Sequence, residues 1–180
     1  MGSVYAKIGK EKEAKDKYDT ALRIFRQSSP SNNSLDTVYT YLKIASLFGL
    51  SKISTGSTKE PPCLTLAFEQ LEEMPGDSIS VKRSLAHANT LRARYLLLCG
   101  EYEKAIACCE TAYSFSREFG VNHPKMIGTD IVYGDALFAK NKADKALEYF
   151  QKAYKEICSI NPEHPDAIIC KEKINRCKDK

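Results

Sequence analysis

Pairs of alanines seven residues apart recur three times in this chain of 180 residues, each with a larger residue four positions after the first alanine. The three sets are Ala14, Tyr18 and Ala21; Ala105, Cys109 and Ala112; and Ala146, Phe150 and Ala153. The last two sets lie 41 residues apart, and His123-Pro124 recurs at the same interval as His164-Pro165. This fixed period indicates an array of helical repeats, because small residues on one helical stripe allow helices to approach closely.

The composition is that of an ordinary folded protein, with 43% hydrophobic and 28% charged residues. The formal net charge is +4, but the longest charged run, residues 10–17, mixes both signs. Nucleic-acid binders concentrate basic residues on one stripe, and no such stripe is evident. We therefore predict no nucleic-acid partner. We also predict no membrane insertion, because no stretch approaches the roughly 18 apolar residues that span a bilayer.

The seven cysteines indicate the redox compartment of the chain. Their count is odd and no signal peptide precedes them, which favours free thiols in a reducing compartment and predicts a cytoplasmic location. No CxxC motif or zinc-finger histidine spacing occurs, so we predict no metal site. Cys108 and Cys109 are adjacent on a predicted helix and point about 100° apart, so at most one of them faces the core.

Hydrophobic periodicity predicts a chain made almost entirely of helices. The segment before Gly9 reads as the tail of a first helix, and the other helices are expected at 11–26, 35–50, 63–74, 79–99, 102–119, 125–140, 143–159 and 165–178. Gly100 and the region of Asn141 are the expected turns inside two hairpins. His123 and His164 are interpreted as helix-start residues.

These segments predict a single domain over 1–180, with repeats at about 2–27, 35–76, 79–122 and 125–161. The polar helix 165–178 is expected to close the open end of the array. Residues 51–62, SKISTGSTKEPP, interrupt the period and are interpreted as an inserted, exposed loop. Its serines and threonines belong either to a solvated linker or to a regulatory phosphorylation site.

The segments from Gly100 to Tyr113 and from Lys145 to Tyr154 resemble the tetratricopeptide repeat. The small residue of each first helix is Ala93 in one copy and Gly134 in the next. The long period and the His-Pro junctions are similar to the repeats of kinesin light chains and of amyloid-protein-binding protein 2. The resemblance implies an all-α, right-handed α-solenoid of helix–turn–helix repeats that holds a peptide or protein ligand in a concave groove.

One stripe per inner helix is predicted to line this groove. Its residues are Tyr39, Leu42, Ser46, His87, Thr90, Arg94, Leu97, Ile131, Asp135 and Phe138. The family's clamp for a C-terminal carboxylate uses paired basic and Asn residues, which here are replaced by Thr90, Ile131 and Asp135. A chaperone tail is therefore not the expected ligand. The alternative for Leu97 and Phe138 is that they pack against the next repeat.

No sequence pattern indicates catalysis. The chain contains no Gly-rich phosphate loop, GxSxG elbow or HExxH motif. No pair of carboxylates is set apart as acid and base. We therefore predict a non-enzymatic interaction module or adaptor, without a cofactor, that binds a protein or peptide. The alternative is a structural subunit of an oligomer or larger complex, whose groove is filled by a neighbouring chain.

Overall fold

The computed structural model describes residues 5, 9–28, 34–49, 59–118 and 126–179. All regular structure among these residues is helical, as predicted. The helices are α1 (Glu11–Ser28), α2 (Leu35–Ile44), α3 (Pro62–Glu72), α4 (Ile79–Cys99), α5 (Tyr102–Ser116), α6 (Ile127–Ala139), α7 (Ala143–Ile160) and α8 (Pro165–Lys178). A π-helical turn, Ala45–Gly49, continues α2. The predicted segment 2–8 lies outside the described residues except for Tyr5.

The helices stack as consecutive hairpins. Helix α4 packs on α5, and α6 packs on α7, which in turn contacts α8. We call α2, α4 and α6 the first helices and α3, α5 and α7 the second helices. First helices also contact one another, α2 with α4 and α4 with α6. This arrangement is a helical-repeat solenoid, in which each hairpin contacts its neighbours along the chain.

The two C-terminal hairpins close with the same turn. Gly100 has a φ of 86° and Asn141 a φ of 57°, so both adopt the left-handed conformation that commonly ends helices. The N–H of Glu101 donates to the carbonyl of Leu96 at 2.9 Å, and 41 residues later the N–H of Lys142 donates to Leu137 at 3.0 Å. The predicted turns are therefore confirmed, and the sequence period is also a period of backbone geometry.

The recurring small residues lie at the helix contacts, as predicted. Ala14, Ala105, Ala112, Ala146 and Ala153 are fully buried, whereas Ala21 is half-buried. Contact is closest at Gly134 of α6, where an added Cβ would lie 2.6 Å from a ring carbon of Phe150 on α7. No real Cβ tolerates such a distance, so glycine is needed here for space and not for its backbone freedom.

The prediction that residues 51–62 form an exposed loop is wrong at the C-terminal end of this segment. Pro61 is buried and Pro62 already belongs to α3. The guanidinium of Arg92 donates from Nε to Glu60 Oε1 at 2.6 Å and from Nη2 to Oε2 at 2.9 Å. It also stacks 3.5 Å from the ring centroid of Phe68. Residues 51–58 lie outside the described part of the chain.

The start of α8 confirms the helix-start role of one His-Pro pair. His164 is the N-cap, and its Nδ1 accepts the backbone N–H of Asp166 at 3.2 Å. Pro165 takes the first helical position, where a missing N–H costs nothing. His123 and Pro124 lie outside the described residues. The preceding helix, predicted to extend to residue 119, ends at Ser116, and the next begins at Ile127.

We expect Gly134→Ala to destabilise the protein by about 1–3 kcal/mol, because its Cβ overpacks the ring of Phe150. Phe150→Leu in the same chain should relieve part of this cost, so the double variant should be more stable than the sum of the two single effects predicts. Gly128→Ala is the matched control, because its Cβ would meet only a Thr90 methyl group at 3.9 Å. Urea unfolding measures all four variants, and equal stability of both alanine variants would refute the close contact.

We expect two replacements of the loop to differ in their effect on the stability of the protein. A Gly/Ser linker in place of residues 51–58 should change stability little, because loop entropy grows slowly with length. A linker in place of 51–62 also removes Glu60 and buried Pro61, and should cost about 1–3 kcal/mol through the lost charged hydrogen bonds to Arg92. Thermal and urea melts of the two loop variants test this difference. Equal stability would show that the contact with Arg92 contributes nothing.

Candidate protein-binding surfaces

The predicted groove residues occupy neighbouring first helices. Tyr39 and Leu42 lie on α2, Ser46 in the π-helical turn, His87, Thr90, Arg94 and Leu97 on α4, and Ile131, Asp135 and Phe138 on α6. Contacts of α2 with α4, and of α4 with α6, place the three helices side by side. The structure therefore brings the predicted positions onto adjacent helices, although it does not leave all of them accessible.

Two predicted groove residues are core residues. Leu42 is 1% exposed and packs among residues of α3 and α4. Thr90 is 5% exposed, and its Oγ1 lies 2.7 Å from Oγ1 of Thr129. This hydroxyl pair joins α4 to α6, and the Thr90 hydroxyl also lies 2.9 Å from the carbonyl oxygen of Ala86, so this buried polar group is satisfied within the protein. The prediction of direct ligand contact is therefore wrong for Leu42 and Thr90.

The C-terminal part of the stripe is engaged by α8. The ammonium of Lys173 donates to the carboxylate of Asp135, and the guanidinium of Arg176 lies 5.2 Å from the ring centroid of Phe138. Ile131 packs against apolar residues of α7 and α8, and Leu97 against the core between α4, α5 and α6. Much of the surface of Leu97 and Phe138 is thus packed against neighbouring helices, which is what the alternative interpretation expects.

The remaining stripe residues keep accessible surface. Tyr39 is 40% exposed, and Ser46, His87 and Arg94 are half-buried. Arg94 has no ion-pair partner within the described ranges, whereas neighbouring Arg92 is paired with Glu60. A half-buried cation without a carboxylate is a suitable contact for a negatively charged group of a partner.

A cavity of about 290 Å³ borders this face near the start of α6. Its walls include Ile127, Gly128, Ile157 and Ile160, together with polar atoms of Asn161, His164 and Asp166. Gly128 lies 41 residues after His87, so the cavity occurs at a position equivalent to a predicted groove residue. The absence of a side chain at Gly128 contributes to this space.

A buried carboxylate that we did not predict lies between α5, α6 and α7. The side chain of Asp130 on α6 is 0% exposed. Its Oδ1 accepts hydrogen bonds from the hydroxyl of Tyr113 on α5 and from the ammonium of Lys152 on α7, the latter at 3.1 Å. Its Oδ2 is buried with no hydrogen-bond partner among the described residues. No local motif marks this network, because its members come from three helices.

Three tyrosines pack together beside this carboxylate, and we call Tyr113, Tyr133 and Tyr149 the tyrosine cluster. Ring centroids of Tyr133 and Tyr149 are 4.6 Å apart with the rings nearly perpendicular, and those of Tyr113 and Tyr133 are 5.9 Å apart. The hydroxyl of Tyr133 donates to Glu110 at 3.1 Å. A cavity of about 360 Å³ is lined by Tyr113, Glu148, Tyr149 and Lys152.

Burial shifts the titration of this region. It raises the pKa of Asp130, against the opposing effects of the Tyr113 hydrogen bond and the Lys152 charge. Burial also raises the pKa of Glu156, with Lys152 lowering it and Asp130 raising it. The pKa of Tyr113 is raised by burial and by the Asp130 charge, so its hydroxyl keeps the proton that it donates.

The cysteines of the described chain are all free thiols. Cys109 is fully buried in the core, whereas Cys108 is half-buried and packs against the edge of the same cluster. Burial raises the pKa of Cys109 and raises that of Cys170 to about 11. These thiols are therefore protonated at neutral pH and behave as packing residues, since the thiolate is the nucleophilic form.

We expect Glu156→Gln to stabilise the protein at pH 7. The pKa of Glu156 is raised in the folded state, so folding favours the protonated form of this side chain. The stability that the bound proton contributes is lost as the pH rises through the folded-state pKa. The advantage of the variant should therefore shrink as the pH falls towards about 4.3, the ordinary value for Glu. Urea unfolding at pH 7 and pH 5 measures this trend. The control, Glu172→Gln at an exposed position of α8, should show little advantage at either pH.

Comparison with known proteins agrees with this architecture. Residues 84–155 match the family model of the tetratricopeptide repeat, which covers most of α4 to α7 and less than half of the chain. No curated protein matches the sequence. None of the described helices is long and apolar enough to cross a membrane. Tetratricopeptide repeats generally mediate protein–protein interaction and are typically not enzymes. The chain is therefore an all-α helical solenoid in which residues 84–155 are similar to tetratricopeptide repeats.

Proposed function

We propose that this chain is a non-enzymatic interaction module or adaptor that binds a segment of a partner protein along the first helices. The family match supports a protein-binding role. The proposed contact surface consists of the accessible stripe residues Tyr39, Ser46, His87 and Arg94, with the exposed edges of Leu97, Ile131, Asp135 and Phe138. The odd number of cysteines supports a reducing, cytoplasmic setting.

The observation that carries this proposal is the burial and the pairing of Arg94. Its guanidinium is half-buried on the proposed contact surface and lacks an ion-pair partner in the described chain. The corresponding Asp135 on α6 is already paired with Lys173. Arg94 is thus the stripe residue with a fixed positive charge available for a partner carboxylate, and a guanidinium can bind a carboxylate through two parallel hydrogen bonds.

The cavity beside Gly128 supplies an apolar contact for the same partner. Its isoleucine walls suit a branched or aromatic side chain, and its volume of about 290 Å³ is sufficient for one. A charged contact at Arg94 and an apolar one at Gly128 are the two kinds of anchor that orient a bound segment. We further propose that the repeats are of the kinesin-light-chain type, which the 41-residue spacing of Gly100 and Asn141 supports.

One observation favours the alternative, a structural subunit whose surface is covered by a neighbouring chain. Ile168 and Ile169 on α8 are 61% and 43% exposed, and nearby Ile160 is 63% exposed. Large exposed aliphatic side chains that lie close together are typical of association surfaces. Mass measured in solution across a hundredfold range of protein concentration separates the two: self-association favours the structural subunit, and a constant monomer mass favours the adaptor.

The binding surface is tested by Arg94→Glu and Gly128→Leu. Affinity capture with mass spectrometry identifies partners of the parent chain, and calorimetry then measures the affinity of each purified partner. We expect Arg94→Glu to weaken binding by about 10- to 100-fold, the equivalent of about 1.4–2.8 kcal/mol. Gly128→Leu should weaken binding by filling the cavity.

Lys145→Glu is the matched control. It makes the same reversal of charge at an exposed position of α7, a second helix, away from the proposed surface. Circular dichroism establishes that each variant is folded. Partners that bind Arg94→Glu and Gly128→Leu as tightly as the parent would show that the first helices are not the binding surface.

A further inference from the structure

We propose that the tyrosine cluster, together with Glu148 and Glu110, forms a second protein-binding site that accepts an arginine side chain of a partner. This site involves the second helices α5 and α7 together with Tyr133 of α6, and it shares no residue with the surface proposed above. Its existence does not depend on what binds to the first helices.

The aromatic rings supply the stacking surface. Tyr113 and Tyr149 line the cavity of about 360 Å³, and their ring centroids are 6.3 Å apart. The ammonium of Lys152 already lies 5.7 Å from the ring centroid of Tyr113. A Tyr ring attracts cations through its electron-rich face. Tyr133 packs edge-to-face against both other rings and so fixes the orientation of Tyr149.

The local charge is negative although the whole chain is positive. Glu110 and Glu148 are exposed, and neither forms an ion pair with a described residue. Lys152 is paired with buried Asp130, so these two charges cancel. The cavity lining therefore contains one carboxylate without an ion-pair partner in the described chain, Glu148, and exposed Glu110 lies one turn before Tyr113 on α5, against a net charge of +4 for the whole chain. Such a site attracts cations and repels phosphate and carboxylate groups.

Lys152 does not occupy the place of the incoming cation, because it is held from the protein side. Its ammonium donates to Asp130 Oδ1 at 3.1 Å. Asp130 Oδ2 and Glu156 Oε2 are both buried without partners in the described chain, and both carboxylates act on the Lys152 charge. The contact with Asp130 Oδ1 keeps the Lys152 ammonium on the protein side of the cavity.

Arginine fits these features better than lysine. A guanidinium is planar, so it stacks on the ring of Tyr149 while its N–H groups reach the carboxylate of Glu148, the adjacent residue. A lysine ammonium offers a point charge without a stacking face. The hydroxyl of Tyr149 forms no hydrogen bond within the described chain and can orient the same group as an acceptor.

The probe is the capped pentapeptide Gly-Gly-Arg-Gly-Gly, titrated into the ¹⁵N-labelled full chain and followed by amide chemical shifts. We expect saturable shifts at residues 148–152 and around Tyr113. The matched peptide with citrulline in place of arginine, which has the same shape and no charge, should bind about three- to tenfold more weakly. Inorganic phosphate should leave these amides unchanged.

Two variants locate the site. Glu148→Gln and Tyr149→Leu should each weaken arginine-peptide binding at least threefold, whereas the control Glu172→Gln on α8 should bind like the parent. Amide spectra of each variant establish that the fold is kept, and Glu148→Gln tests the site even if Tyr149→Leu unfolds.

Equal binding of the citrulline peptide, phosphate-induced shifts at residues 148–152, or full binding by Glu148→Gln would overturn the proposal. None of these results depends on Arg94, so the two proposals succeed or fail separately.

Discussion

The close approach of α6 and α7 at Gly134 and Phe150 is the contact on which the C-terminal half of the fold depends. Phe150 is 1% exposed, and its ring fills the space where a Cβ on residue 134 would lie. The preceding hairpin has Ala93 and Cys109, both fully buried, at the equivalent positions. Small residues therefore set the distance between the two helices of each hairpin, and the left-handed turns at Gly100 and Asn141 set their direction.

Stacking of the hairpins then determines which side chains remain accessible. The pair of Thr90 and Thr129 joins two first helices inside the protein, and α8 engages Asp135 and Phe138. Tyr39 and Arg94 are among the residues that keep accessible surface along the first helices. In a repeat array, contacts between neighbours stabilise the fold and at the same time decide how much of each repeat is available to a ligand.

The two proposed surfaces differ in charge, and this difference would separate their partners. The first-helix surface offers the guanidinium of Arg94, whereas the tyrosine cluster offers aromatic rings and the carboxylates of Glu110 and Glu148. Like charges placed opposite each other are costly, so each surface excludes the ligand that suits the other. A module with both surfaces can hold two segments at once, which is what an adaptor requires.

The sequence by itself determined the helices, the turns and the small-residue contacts, because these depend on local periodicity and on single residues such as Gly100 and Ala105. It did not determine the burial of Thr90, the contact of Glu60 with Arg92, or the network of Asp130, Tyr113 and Lys152. Those pairs are separated by 17 to 39 residues along the chain. They meet only when several helices pack together, and helical spacing does not specify which polar side chains then face one another. The tertiary structure alone decided where a cation without an ion-pair partner in the described chain, and an acidic aromatic cavity, lie.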